Sequence, residues 1–254
     1  MKLTNKLCGA ALLAVAGVAI AAPNTKAVDN LEHSGDAYIE FTRNTDGGPD
    51  TTITKPGTTD STITNIPGVT DPGDFGIMAV TPLDFSSHEV VAGSIAIREY
   101  FAEPFEANKG NADAYKVENF VKFRDKRSTL NRKYSLSARM TQEFTGNVDG
   151  TPVTLEGSIL TFTNLQLKSI EPTHLQPQNP TISATVALAV ADGTSKPFVV
   201  NNEADRGAGN YELTFGTYDN GSADKAVRLD IDGKAQIYET KYTAKVLWTL
   251  AEVK

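Results

Sequence analysis

Cysteine is all but missing from this sequence: its 254 residues include only Cys8. Everything beyond that position must hold together on its core, without disulfides. Histidine is nearly as scarce. The three present, His33, His88 and His174, lie far apart and in no H-x-x-x-H spacing, so no metal site is expected. There is no G-x-S-x-G elbow, no phosphate-cradling loop, no G-x-G-x-x-G turn and no thiol nucleophile after Cys8. Carboxylates are plentiful, but no two stand out as a glycosidase pair. Neither a catalytic residue nor a cofactor is expected, and a non-catalytic role follows. Helical periodicity is also lacking, and after residue 22 no apolar run is long enough to span a bilayer. Tryptophan occurs once, at Trp248.

The one long apolar run comes first. Lys2 and Lys6 precede it, residues 7–22 form it, and the small residues Ala19, Ala21 and Ala27 close it. A charged start, an apolar stretch and a small-residue site read as a secretory signal peptide over residues 1–27. Cleavage after Ala21 or after Ala27 fits, and Ala27 is favoured. Cys8 lies on the wrong side of the apolar centre for a lipid anchor. Without Lys2, Lys6 and Lys26, 21 basic side chains face 31 acidic ones, a formal charge of −10. An exported protein this acidic gains nothing from the electrostatics of nucleic-acid binding, so no such partner is expected.

The rest reads as β-structure. Residues 37–42, Ala-Tyr-Ile-Glu-Phe-Thr, form a short strand within a segment 28–45 that is expected to join the main sheet. Residues 46–74 are rich in Gly, Pro, Thr and Asp and read as a linker or long loop. From residue 75 to 254 one domain follows. Its strands are expected at 75–80, 94–100, 118–123, 134–141, 158–163, 165–170, 181–189, 196–200, 211–215, 226–231 and 241–250. Asp149-Gly150, Asp192-Gly193, Asn220-Gly221 and Asp232-Gly233 offer left-handed positions for tight turns. Asp230-Ile231-Asp232-Gly233 is better read as a strand ending in a turn than as a calcium loop, because further spaced oxygen ligands are missing. Short strands at this spacing predict an all-β, immunoglobulin-like or Greek-key sandwich.

The last expected strand is the most distinctive. Tyr242, Ala244, Val246, Trp248 and Leu250 share one face, and Thr243, Lys245, Leu247 and Thr249 share the other. Fully burying an indole stabilises by about 4–6 kcal/mol before entropy is counted. Burial is therefore the favoured reading of Trp248, a ligand contact is the other, and a partly exposed ring edge lies between. A basic run from Lys122 to Arg139, including Lys126, Arg127, Arg132 and Lys133, is either a solvated loop or a patch for an anionic polymer or acidic partner.

These landmarks resemble the WxL-domain cell-surface proteins of low-GC Gram-positive bacteria. The terminal signature is similar over Tyr242, Val246, Leu247, Trp248 and Leu250, with Leu247 where the family has Thr. Asp125-Lys126-Arg127 resembles the family's Asp-x-Arg, and Gly207-Ala208-Gly209 with Phe215-Gly216 resembles its late segment. Where the family carries a second Trp-x-Leu, this chain has Tyr134-Ser135-Leu136. The resemblance implies a protein at the cell surface, held non-covalently on the wall through peptidoglycan. It also implies partner surface proteins of the same gene cluster, one of them membrane-anchored, and for some members host extracellular matrix. An adhesin or interaction subunit held by that membrane-anchored partner is the alternative. Trp248, Leu250, Tyr242, Tyr134 and Leu136 are the candidate wall-binding residues, with Lys126, Arg127, Arg132 and Lys133 as the candidate basic patch.

Overall fold

In the computed structural model the described residues are 37–40, 50–90 and 97–254. The chain divides into two compact units, Met1–Thr45 and Asp46–Lys254. Of the first, only residues 37–40 are described, and they carry no regular secondary structure. The signal segment, and residues 41–42 of the expected first strand, lie outside the described residues.

The second unit is built from strands. In chain order they are β1 (Phe75–Val80), β2 (Arg98–Phe101), β3 (Phe105–Ala107), β4 (Tyr115–Val117) and β5 (Asn119–Asp125). Next come β6 (Tyr134–Val148), β7 (Thr151–Thr154), β8 (Ile159–Thr163), β9 (Leu165–Lys168) and β10 (Thr181–Ile182). The last are β11 (Thr185–Leu188), β12 (Lys196–Asn201), β13 (Gly209–Phe215), β14 (Val227–Ile231) and β15 (Thr243–Glu252). The all-β architecture expected from the turn spacing is the one found.

Three sheets enclose the main core, and all their strand pairs are antiparallel. Their strand orders are β1-β5-β13-β9, β10-β12-β6-β15 with β7 beside β6, and β11-β8-β14-β2. Successive strands mostly change sheet, as β8 to β9 and β11 to β12 do. The expected strand over 181–189 is in fact two for this reason: β10 pairs with β12, whereas β11 crosses to β8. Asp149-Gly150 joins β6 to β7 with φ of 49° and 87°, the left-handed pair a two-residue hairpin needs. Gly193 and Gly221 are also left-handed, but each ends a short 3₁₀ turn. Gly233 is not left-handed.

The expected linker behaves differently. Residues 50–74 lie against the outer face of the β1-β5-β13-β9 sheet, and Ile53, Ile63 and Ile66 are buried there with Met78, Phe105, Val117 and Phe120. β5 is consequently buried along its whole length. Its alternation divides it between two cores: Val121 and Phe123 enter the main one, and Phe120 enters the smaller one under the 50–74 cover. Between cover and sheet lies a row of charge. Arg124 donates to Asp50 at 2.6 Å and to Asp71 at 2.9 Å, and Lys122 meets Glu212 at 2.9 Å. Burying such charges is tolerable only because each is paired and hydrogen-bonded.

Candidate functional site

β15 packs along β6 with Trp248 opposite Ala138, Leu250 opposite Leu136 and Glu252 opposite Tyr134. The two motif segments therefore lie side by side on neighbouring strands. Strand alternation is kept throughout: Tyr242, Ala244, Val246, Trp248 and Leu250 are half-buried and pack on the core, while Thr243, Lys245, Leu247 and Thr249 face out. Trp248 sits among Phe198, Phe215 and Phe162, with ring centroids 4.6, 6.0 and 6.2 Å away. Those three rings come from the three sheets, so the indole closes the core where they meet. Its exposure is the intermediate case of the readings weighed for it.

Tyr134 and Leu136 are wholly enclosed, both at 0% exposure, and present no surface to a ligand in this fold. The Tyr134 ring packs edge-on to Phe123 at 5.5 Å and tilted to Tyr211 at 6.4 Å. Burial pushes the Tyr134 phenol well above the ordinary range, with Tyr211 and Asp125 adding to the shift. Its hydroxyl finds no hydrogen-bond partner among the described residues.

The other landmarks gather at this corner. Asp125, fully buried, is held by Arg127 through Nε at 2.9 Å and Nη2 at 2.6 Å. The Arg127 guanidinium also lies 3.9 Å from the Phe75 ring centre and pairs with Glu252 of β15 at 2.6 Å. Hydrogen bonding to Asp125 raises the guanidinium pKa above its ordinary value, against the opposing effect of burial. Gly209 stands opposite Asp125 in the register. Gly207 has φ of 97°, and a Cβ there would come within 2.5 Å of Asn201 Nδ2 and 3.0 Å of the Tyr134 ring. Only glycine allows that approach. Asn201 Nδ2 in turn donates to the carbonyls of Arg132 and Arg206, each at 3.0 Å.

Part of the basic run is engaged within the fold. Lys126 is exposed but lies 3.6 Å from Asp50, and Arg127 is committed to Asp125 and Glu252. Arg132 donates through Nη2 to the Arg127 carbonyl, and the Lys133 carbonyl accepts from Val253 N–H at 3.2 Å. Lys126 and Arg127 thereby help to fasten the cover and the terminal strand.

A second region carries surface features that strand reading passed over. Two shallow clefts, of 390 and 270 Å³, share Phe101 at the end of edge strand β2. The larger is lined by Glu103, Lys116, Tyr218 and Asp224, the smaller by Thr161, Thr163, Thr185, Lys225 and Arg228. Phe101 and Tyr218 are each 37% exposed. The only local signal for Tyr218 was its place just before the Asn220-Gly221 turn, and no period marks it.

Among curated proteins and among solved structures nothing matches the chain. The WxL domain family, described as surface cell wall-binding, matches residues 29–253, nearly the whole sequence. With its landmarks drawn together at one corner of an all-β fold, this chain belongs to the WxL domain family of surface cell wall-binding domains.

Proposed function

We propose that this protein attaches non-covalently to the Gram-positive cell wall by binding peptidoglycan, as a non-catalytic member of a surface complex. The family match over residues 29–253 carries this reading, since it covers the domain rather than a tripeptide. The expected acidic charge and lack of catalytic motifs suit a binding module. In this reading the motif strands build the domain, and the wall is contacted by surface that they hold in place. The test is sedimentation of the protein, freed of residues 1–27, with purified peptidoglycan at physiological salt. Cosedimentation is expected, and a protein that stays in the supernatant would remove the reading.

One observation favours the interaction-subunit alternative. Among the described residues, β15 ends the hydrogen-bonded path of its sheet and pairs only with β6. An edge strand of ten residues offers backbone groups to a partner's strand. Wall binding that appears only after a membrane-anchored partner is added would select this alternative over direct attachment.

A further inference from the structure

From the paired clefts around Phe101 we infer a glycan-binding surface, in which Phe101 and Tyr218 stack on sugar rings of a wall polysaccharide. This inference rests on the wall-attachment reading and names the surface that performs it. It departs from the motif residues, which are built into the core.

The clefts have the composition that carbohydrate demands. A pyranose offers one apolar C–H face and a rim of hydroxyl or acetamido groups. Binding it takes a flat aromatic surface with hydrogen-bonding groups around it and no need for a deep pocket. Phe101 and Tyr218 supply two such surfaces along the larger cleft. Phe101, at the end of β2, and Tyr218 are each left 37% exposed where they line this cleft.

The surrounding polar groups are of two kinds. Some are already tied: Lys116 to Glu103 at 3.3 Å, and Arg228 to Glu99 at 3.1 Å and to Asp230 Oδ2 at 3.1 Å. Others are uncommitted. The side chains of Asp224 and Lys225 make no hydrogen bond or ion pair among the described residues, nor does the Thr185 hydroxyl. A carboxylate acceptor and an ammonium donor therefore stand free, one at each cleft.

The surface is also held in place before any ligand arrives. Tyr218 N–H donates to Glu118 Oε2 at 3.3 Å, and Glu118, itself buried, is paired with Lys168. The following turn is fastened by Ser222, whose hydroxyl accepts from Thr217 N–H at 2.9 Å. Phe101 lies opposite Arg228 on β14, and Arg228 opposite Thr161 on β8. That row runs across the sheet from aromatic to cation to hydroxyl, giving a saccharide chain a rigid floor. A fixed platform loses less conformational entropy on binding than a mobile loop would.

The experiment compares native protein with Phe101→Ala, Tyr218→Ala and the double variant. Each is sedimented with peptidoglycan stripped of teichoic acids and titrated with soluble muramidase fragments of it. Far-UV circular dichroism and Trp248 fluorescence report the fold, which should be unchanged because both rings are on the surface. Each single variant is expected to bind about tenfold more weakly, near 1.4 kcal/mol, and the double variant to stay in the supernatant. Native protein binding stripped walls while the folded double variant binds equally well would overturn the glycan surface and leave wall attachment standing. If native protein binds whole walls but not stripped ones, an anionic polymer is the ligand and the glycan assignment fails. If native protein binds neither, both readings fall.

Discussion

Arg127 and Glu252 meet at 2.6 Å, joining the Asp-Lys-Arg segment at the end of β5 to the end of the strand that carries Trp248. The guanidinium is the shared element, because its other edge holds the buried Asp125 carboxylate in a two-point contact. Removing Arg127 would leave a charge with no exposure and no counter-charge. Arg127→Ala should cost about 3–5 kcal/mol, and Arg127→Lys nearly as much, since an ammonium cannot reproduce the fork. Glu252→Gln, at the exposed side of the same contact, should cost under about 1 kcal/mol. Urea unfolding followed by far-UV circular dichroism separates these, and equal losses at all three would refute the buried pair as the important half.

Tyr134 offers a sharper comparison. Its ring is enclosed and its hydroxyl unpartnered among the described residues, so Tyr134→Phe should leave stability unchanged or raise it by about 1 kcal/mol. Tyr134→Trp, which restores the second indole of the family signature, should instead cost about 1–3 kcal/mol, because Gly207 already lies against the ring. A stabilising Trp would show that the corner has room it does not display.

Trp248 is half-buried against three phenylalanines, which predicts a loss of about 2–4 kcal/mol for Trp248→Ala, smaller for Trp248→Phe. Both variants should keep wall binding at temperatures where they remain folded. Loss of binding with an unchanged denaturation midpoint would make the indole a ligand contact and return the motif to the surface.

The 50–74 cover should respond to acid. Backbone N–H donors of Gly73 and Asp50, with Arg124 beyond them, hold the Asp71 carboxyl below its ordinary value. A carboxyl with a depressed folded pKa stabilises above its unfolded value, about 3.9, and loses that contribution as pH falls through the folded one. The amide protection factors of Ile53, Ile63 and Ile66, with the intrinsic pH dependence of exchange divided out, should therefore fall below about pH 4 and be steady above about pH 5. In Asp71→Asn the protection should be lower throughout and lose this step; an identical profile would discharge Asp71 from the role.

High pH probes the Tyr134–Tyr211 corner. Burial raises the phenols of both Tyr134 and Tyr211, so these groups are neutral in the fold and ionise readily only once it opens. Their contribution is complete below the unfolded phenol value, about 10, and is lost as pH rises toward the folded values. Tyrosinate absorbance from these two should grow in step with loss of far-UV signal. Ionisation that precedes unfolding would contradict their burial.

Sequence was sufficient for the features that local alternation and the Asp149-Gly150 turn impose. β1 at Phe75–Val80, the β6–β7 turn at Asp149-Gly150 and the half-buried face of β15 all follow from period two and left-handed positions, which neighbouring residues impose wherever the chain lies. The order of the family landmarks is likewise a property of sequence. Tertiary structure decided what those faces meet. The polar residues of β5, Lys122 and Arg124, would alternate identically against water or against carboxylates brought from Asp50, Asp71 and Glu212. A stretch dense in proline and glycine reads as a linker until three isoleucines find a sheet to cover. Trp248 likewise owes its partial burial to Phe162, Phe198 and Phe215, which reach it from three different sheets. Long-range partners of this kind have no sequence period, because chain topology rather than spacing brings them together.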